Sequence, residues 1–386
     1  MASQDVSSEP RVTPLELFFD LVFVFALTQV TGLLAKDATW TGLGHGLLVL
    51  AALWWAWAAY TWLTNSVDPE AGLVRLTIFL AMGAMLVASL AVPEAFGDEA
   101  LVFAVAYLVV RVMHIALYTR AGRSDPDLLG AVLRMTPTSI AGPLLIVGGA
   151  FLDEGPRAAV WAVALAIDYL GVLVGRGEGW RVSPGHFAER HGLIVIVALG
   201  ESIVSVGAGA DTDLDAGIVG AGLLGIAVAA AMWWQYFDVV AIVAERKLHE
   251  ATGAARAAQA RDSYSYLHLP MVAGIILFAF GVKTVLAHTG EPLEAVPATA
   301  LCGGAALYYL AHVAFRLRNV HTVAKRRLVA AAVLAALVPL AVEVDAVVAI
   351  AGVALVATTL TTYEAIRFAE PRRRLRQTVA ARAPTS

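Results

Sequence analysis

Long apolar runs, each about as long as a bilayer is thick, recur along this chain between short polar or charged breaks. A hydrocarbon core of about 30 Å is crossed by about 20 helical residues, and only helices or closed barrels satisfy their backbone there. Twelve runs approach that length: residues 14–34, 43–63, 71–92, 99–119, 128–150, 157–175, 187–209, 216–243, 263–287, 297–317, 326–341 and 345–367. The alternation over about 10 residues that marks a barrel strand is absent from the sequence. The pattern predicts an all-α polytopic transmembrane bundle of about twelve helices.

The polar positions inside these runs repeat. The run from Pro14, PLELFFDLVFVFALTQV, embeds Glu16, Asp20 and Gln29; the run from His191, HGLIVIVALGESIVSV, embeds Glu201. Laying Leu21–Val30 over Leu193–Ser202 superposes the apolar steps, an Ala-Leu pair, and Gln29 on Glu201. Trp54-Trp55 match Trp233-Trp234. Tyr107, Arg111, His114 and Tyr118 share one helical face, as do Tyr308, His312, Phe315 and Asn319 at the same spacing. Two tandem six-helix repeats follow, 14–175 and 187–367, joined by a linker at 176–186. The second contains a connection at 244–262 that reads as a short amphipathic surface helix. Tails at 1–13 and 368–386 flank them, the last residues beyond Arg376 being expected to be disordered. An even helix number gives both repeats one orientation, related by an axis near the membrane normal.

Charge sets that orientation. Arg120, Arg123, Arg176, Arg181, Arg246, Lys247, Arg316, Lys325, Arg326, Arg327 and Arg372–Arg374 fall on one side, and the opposite loops keep only Lys36 and Arg157 among many acids. Basic residues collect inside, so both termini are expected in the cytoplasm. Composition agrees: 59% hydrophobic and 15% charged residues are far from the soluble average. The net charge of −4, with basic residues scattered, supports no nucleic-acid role. The polar N-terminus lacks a basic n-region, so no cleaved signal is expected. The single cysteine, Cys302, implies neither a disulfide nor a thiolate metal site.

Ionisable groups in membrane segments are costly and are read first as functional. Counted along their helices, Asp20, Arg111, His114, Asp168 and Asp238 lie at comparable depth, and Asp20 with Arg111 is the expected pair, with His114 and Asp168 close by. The alternative for this layer is a static clamp between helices. In the seventh run Arg190 and Glu201, eleven residues apart, return to one face through Ile194 and Val197. Together with Glu189 they offer a polar-ended path, as do Asp20, Phe23, Val24 and Leu27 in the first run; the alternative for both is ordinary packing of an apolar seam. His186, Glu189 and His191 do not have zincin spacing, so no metal site is expected. Trp54, Trp55, Trp57, Trp233 and Trp234 read as an interfacial belt, or alternatively as an aromatic pocket for a cation or isoprenoid. Gly142, Gly171, Gly200, Gly207 and Gly274 read as points of close helix approach. No phosphate-binding or nucleophile-elbow motif occurs.

Three stretches, VTPLELFFDLVFVFALTQVT, WWAWAAYTWLTNSVDPE and HFAERHGLIVIVALGESIV, resemble the low temperature requirement protein A (LtrA) family of bacterial membrane proteins over nearly the whole chain. The resemblance implies a multi-pass protein of the bacterial cytoplasmic (inner) membrane; the family name records a growth phenotype, not a reaction. A weaker likeness is to lysosomal and bacterial potassium channels with a Phe-Ser-Asp motif in their first helix. Phe18, Phe19 and Asp20 hold that place here, without the serine, and Gly192 stands where the second repeat would carry an acid. The favoured expectation is movement of a small solute or ion through or between the repeats, with Asp20, Arg111 and His114 as coupling or gating groups. The alternatives are a membrane-embedded enzyme acting on a lipid or isoprenoid with Glu16 or Asp20 as acid, and a stress-sensing or structural subunit. Membrane lipids are the expected partners, a homodimer is left open, and no cofactor is expected.

Overall fold

Apolar runs interrupted by helix-capping residues fold here as helices. The computed structural model describes residues 11–174, 177–209 and 215–370. The expectations for the first ten residues, Arg176, the acids at 211 and 213, and the basic tail lie outside the described residues. The helices are α1 (Pro14–Lys36), α2 (Trp40–Thr64), α3 (Gly72–Ala91), α4 (Ala100–Gly122), α5 (Pro126–Gly149), α6 (Glu154–Val174), α7 (Pro184–Gly209) and α8 (Ala216–Gln235). They continue as α9 (Ala241–Glu250), α10 (Gly253–Gln259), α11 (His268–Ala287), α12 (Ala295–Ala298), α13 (Gly304–Val320), α14 (Lys325–Ala336), α15 (Val338–Ala341) and α16 (Ala346–Arg367). Among the described residues no strand occurs, and a single antiparallel bridge joins Pro292 to Asp345.

Among the described residues, ten helical stretches are long and apolar enough to cross a membrane. The two other expected runs fall on α7, 26 residues long, and on α14 and α15, where Pro339 in the first turn of α15 interrupts the helix. Large apolar side chains such as Leu73, Leu76, Leu80 and Leu90 on α3 face outward, while Glu16, Asp20, Arg111, Asp168 and Arg190 are buried. Apolar outside and charged inside is the arrangement hydrocarbon demands.

Contacts divide the chain into two compact units, Met1–Glu201 with Glu245–Ile276, and Ser202–Ala244 with Leu277–Ser386. In the first, α1 packs on α2 and α3, and α4, α5 and α6 pack in succession. A methyl group at Gly142 would come within 2.9 Å of the Ala164 carbonyl oxygen, and one at Gly171 would strike Thr138, so α5 and α6 touch through small residues. Gly200 and Gly207 have open space, so the close approach expected there does not occur. The expected surface helix at 244–262 is also revised. It breaks at residues 251–252, before Gly253 with φ of 53°, into α9 and α10. Arg256 on α10 donates to the Val182 carbonyl, docking α10 on the loop before α7.

In the second unit α8 packs on α16, and α13 on α14. Gln235 of α8 donates to Thr361 of α16, and Tyr308 of α13 donates to the Met232 carbonyl of α8 at 2.7 Å. The faces expected on the fourth and tenth runs are both buried, from Tyr107 to Tyr118 and from Tyr308 to Asn319. Wide π-type turns interrupt the helices at Tyr236–Val240, Ala260–Tyr266 and Thr299–Gly303.

Within the second unit a methyl group at Gly281 would lie 2.6 Å from the Leu301 Cα, whereas one at Gly220 meets nothing within 4 Å. Gly281→Ala is therefore expected to lower the melting temperature in detergent by several degrees, reflecting about 1–3 kcal/mol of overpacking. Gly220→Ala should leave it unchanged or raise it through helix propensity. Equal effects would contradict the close approach at Gly281.

Candidate functional site

The site begins with a helix cap. Thr13 caps α1: its Oγ1 accepts the Glu16 N–H, and Glu16 Oε2 accepts the Thr13 N–H at 2.9 Å. This capping box follows from Thr-x-x-Glu, a signal readable in the sequence that fixes the Glu16 side chain at the helix start. Glu16 Oε2 also lies 3.0 Å from His186 Nε2, in the first turn of α7.

Asn65, at the end of α2, determines what that imidazole carries. Its Oδ1 accepts the Ser183 N–H at 3.0 Å, so its Nδ2 points at the Thr61 carbonyl oxygen, 3.0 Å away, and at His186 Nδ1, 3.2 Å away. An amide nitrogen only donates, so His186 Nδ1 accepts and the ring proton sits on Nε2, directed at Glu16. His186 in this arrangement is a neutral imidazole.

One turn further along both helices, Arg190 Nη2 donates to Asp20 Oδ1 at 2.9 Å, while Arg190 Nη1 stands 3.8 Å from Glu16 Oε1. Trp57 Nε1 donates to the same Asp20 Oδ1 at 2.8 Å, and the Arg190 guanidinium lies 5.8 Å from the Trp57 ring centroid. Glu16, Asp20, His186, Arg190 and Trp57 are all buried. The cluster holds two carboxylates, one guanidinium and one neutral imidazole, hence one excess negative charge with both carboxylates ionised. Among the described residues, Asp20 Oδ2 and Glu16 Oε1 have no hydrogen-bond partner.

Near the other end of the same two helices, the Thr28 hydroxyl donates to Glu201. Contacts Glu16–His186, Asp20–Arg190 and Thr28–Glu201 advance together, so α1 and α7 run side by side in the same direction over this stretch. The paired residues are 170, 170 and 173 positions apart, within two residues of the separation that lays Leu21 over Leu193.

The expected pairing of Asp20 with Arg111 does not form. Arg111 on α4 instead donates to Asp168 Oδ1 on α6 at 2.9 Å, and Ser139 on α5 donates to the same oxygen at 3.2 Å. Gly142, one turn along α5, lets α6 approach closely enough for this triple junction. His114 hydrogen-bonds neither carboxylate; its ring is tilted against Tyr60 at 5.7 Å and meets Tyr118 edge-on at 5.0 Å between centroids. Arg111, His114 and Tyr118 border a cavity of about 50 Å³, walled by Trp55, Trp62 and Trp180, with room for on the order of three or four waters.

The remaining residues separate. Glu189 is exposed and accepts the Val12 N–H at 3.2 Å. Asp238 belongs to the second unit, on the π turn after α8. The two aromatic clusters, matched in sequence, differ in place. Trp233 and Trp234 are 46% and 42% exposed, whereas Trp54, Trp55 and Trp57 are core residues. Trp54 Nε1 donates to the Ser265 carbonyl at 2.7 Å, and Trp55 stacks on Tyr169 at 3.9 Å. An interfacial belt therefore does not describe the first cluster, because each indole there finds a protein partner. Phe18 is 52% exposed, so the Phe-Phe-Asp stretch does not turn as a unit toward the interior. Asn65, Thr28 and the Trp57 donor went unnoticed in the sequence, since polar and aromatic residues near helix ends are common and nothing in the spacing sets them apart. Among the described residues no group of three or more His, Cys, Asp or Glu could hold a metal ion.

The model of the bacterial low temperature requirement A protein (LtrA) family matches residues 11–362. An uncharacterized protein of Rhizobium meliloti (strain 1021) is 35% identical over 285 residues, covering 71% of this chain and 69% of that protein. No solved structure matches. The charged helix pair α1 and α7 lies within the matched span, as do the ten membrane-length helices apart from the last few residues of α16. The chain is thus a multi-pass membrane protein belonging to the bacterial low temperature requirement A (LtrA) family.

Proposed function

We propose that the protein moves a small solute or ion across the membrane, with the Glu16–His186–Arg190–Asp20 cluster as its coupling site and a proton as the coupling ion. The observation that carries this reading is the charge count. An uncompensated negative charge inside the membrane costs several kcal/mol. Binding one proton at a carboxylate removes that cost, and releasing it restores it. Glu16 is held by Thr13, His186 and Arg190, so Asp20 Oδ2, which has no hydrogen bond among the described residues, is where such a proton attaches. A site that alternates between these states changes how tightly α1 and α7 are held together, the kind of two-state element that coupling requires. The parallel run of α1 and α7, with Glu201 and Thr28 near its other end, supports a path along this seam. The near-constant separation of its contacts supports the tandem repeat.

The enzymatic alternative is less well supported. Neither Glu16 nor Asp20 borders the aromatic-walled cavity, and Trp57 donates to Asp20 instead of shaping a substrate pocket. The Arg111–Asp168 junction fits a different role. It is a matched pair holding α4, α5 and α6, and it serves as a clamp.

In proteoliposomes under imposed potassium, sodium and proton gradients, Asp20→Asn is expected to abolish flux while the melting temperature stays within a few degrees of wild type, because the amide leaves Glu16 and Arg190 balanced. Unaltered flux in a folded Asp20→Asn variant would remove Asp20 from the mechanism. Arg190→Met should instead destabilise the protein by about 3–5 kcal/mol, since it strands two buried carboxylates.

The clamp is tested by a double-mutant cycle followed by unfolding in mixed detergent. Arg111→Met alone is expected to cost about 3–5 kcal/mol, and the double variant Arg111→Met/Asp168→Leu should recover most of it. Additive losses would mean that the two residues do not act as a pair.

A further inference from the structure

The second unit contains a large cavity that the transport reading does not use. It has a volume of about 710 Å³ and lies among the end of α8, the π turn after it, the end of α13, the start of α14 and the end of α16. That volume is in the range of small-molecule sites. Arg316, Lys325, Arg326, Arg327 and Arg367 border it, against the acids Asp238 and Glu364. The excess is three positive charges.

The cations are not equivalent. Arg327 is buried, bonded to Glu364 Oε2 at 2.9 Å and directed at the Gln235 carbonyl, so it and Glu364 form the neutral floor. Arg326 is braced over the rings of Tyr363 and Phe368, at 5.2 and 5.3 Å, which positions its guanidinium without neutralising it. Arg316 is oriented by the Thr322 hydroxyl at 2.9 Å. Lys325 and Arg367 meet no carboxylate among the described residues. Helix α14 starts at Lys325, and the positive end of its helix dipole adds potential at the same place.

The walls are apolar, formed by Trp234, Val243, Phe315 and Phe368, and Trp234 is 42% exposed beside Trp233, as indoles at a membrane interface are. A cationic rim over an apolar wall matches a phosphate head group with its acyl chains attached, better than it matches a free anion.

We propose that this cavity is a binding site for the phosphate head group of an anionic phospholipid, on the side of the membrane where the chain's basic residues gather. The lipid phosphate meets Arg316, Lys325 and Arg367, Arg326 closes the rim, and the acyl chains leave along Trp234 and Val243. The wide π turn at Tyr236–Val240 opens α8 where the head group enters, a common use of such turns.

The test is native mass spectrometry of the full chain in detergent, titrated with phosphatidylglycerol or phosphatidylcholine, with inorganic phosphate as a competitor. Wild type is expected to retain phosphatidylglycerol at a concentration about tenfold or more below that for phosphatidylcholine. The triple variant Arg316→Gln/Lys325→Gln/Arg367→Gln, which leaves the Arg327–Glu364 floor intact, should lose that preference by about tenfold or more. The control variant Arg75→Gln/Arg120→Gln/Arg123→Gln, equal in charge and located in the first unit, should keep it within about twofold. Equal retention of both lipids by wild type would overturn the proposal without recourse to any variant. An equal loss in both triple variants would overturn it as well, leaving only unspecific charge attraction. Displacement of phosphatidylglycerol by millimolar inorganic phosphate would overturn the lipid source and assign the cavity to a free phosphate anion.

Discussion

A single guanidinium shared by two buried carboxylates between α1 and α7 is the constraint on which the first unit depends. Arg190 bonds Asp20, stands 3.8 Å from Glu16, and lies over Trp57. Each of these groups would be expensive to bury alone. Together they fix the level and rotation of α1 against α7, place Trp57 of α2 against both, and bring His186 to Glu16. The cap at Thr13 and the amide of Asn65 complete the shell, and the orientation of that amide makes His186 neutral. Counted with both carboxylates ionised, this arrangement carries one negative charge in excess.

The Arg111–Asp168 junction shows the opposite economy. One cation meets one anion, Ser139 adds a donor, and Gly142 brings α6 close to α5. A balanced pair has no reason to exchange a proton, whereas an unbalanced triad has. The two sites use the same residue types, and their stoichiometry sets them apart: one carboxylate per guanidinium at Arg111, two at Arg190. The second unit handles charge in a third way. Arg327 and Glu364 neutralise each other at the floor of a cavity whose rim keeps its excess cations.

Much of the fold was legible in the sequence because hydrocarbon imposes strict rules. Apolar length marked the helices, and the buried faces on α4 and α13 followed from spacings of four, three and four. Partner choice was not legible. Counting residues along a helix gives depth in the membrane and says nothing of which helices are neighbours, so the count pairs Asp20 with Arg111, whereas Arg190 is the cation that meets it. The aromatic clusters show the same limit: Trp54-Trp55 and Trp233-Trp234 look alike in sequence, but only the first finds carbonyl and ring partners inside the protein. The alignment of Leu21 with Leu193 held a usable clue, since the residues that meet across α1 and α7 keep nearly that separation.

In the proposed mechanism the α1–α7 cluster holds one exchangeable proton on a buried carboxyl. Infrared difference spectroscopy of the protein in lipid, recorded between acidic and alkaline pH, observes that group through the carbonyl stretch of a protonated carboxylic acid. The account requires a band that disappears as the carboxyl deprotonates, is shifted by deuterium, is missing in Asp20→Asn or Glu16→Gln, and persists in Asp168→Asn. A spectrum without such a band, or one in which both variants at the cluster leave it unchanged, would contradict the account and leave Arg190 as a second static clamp.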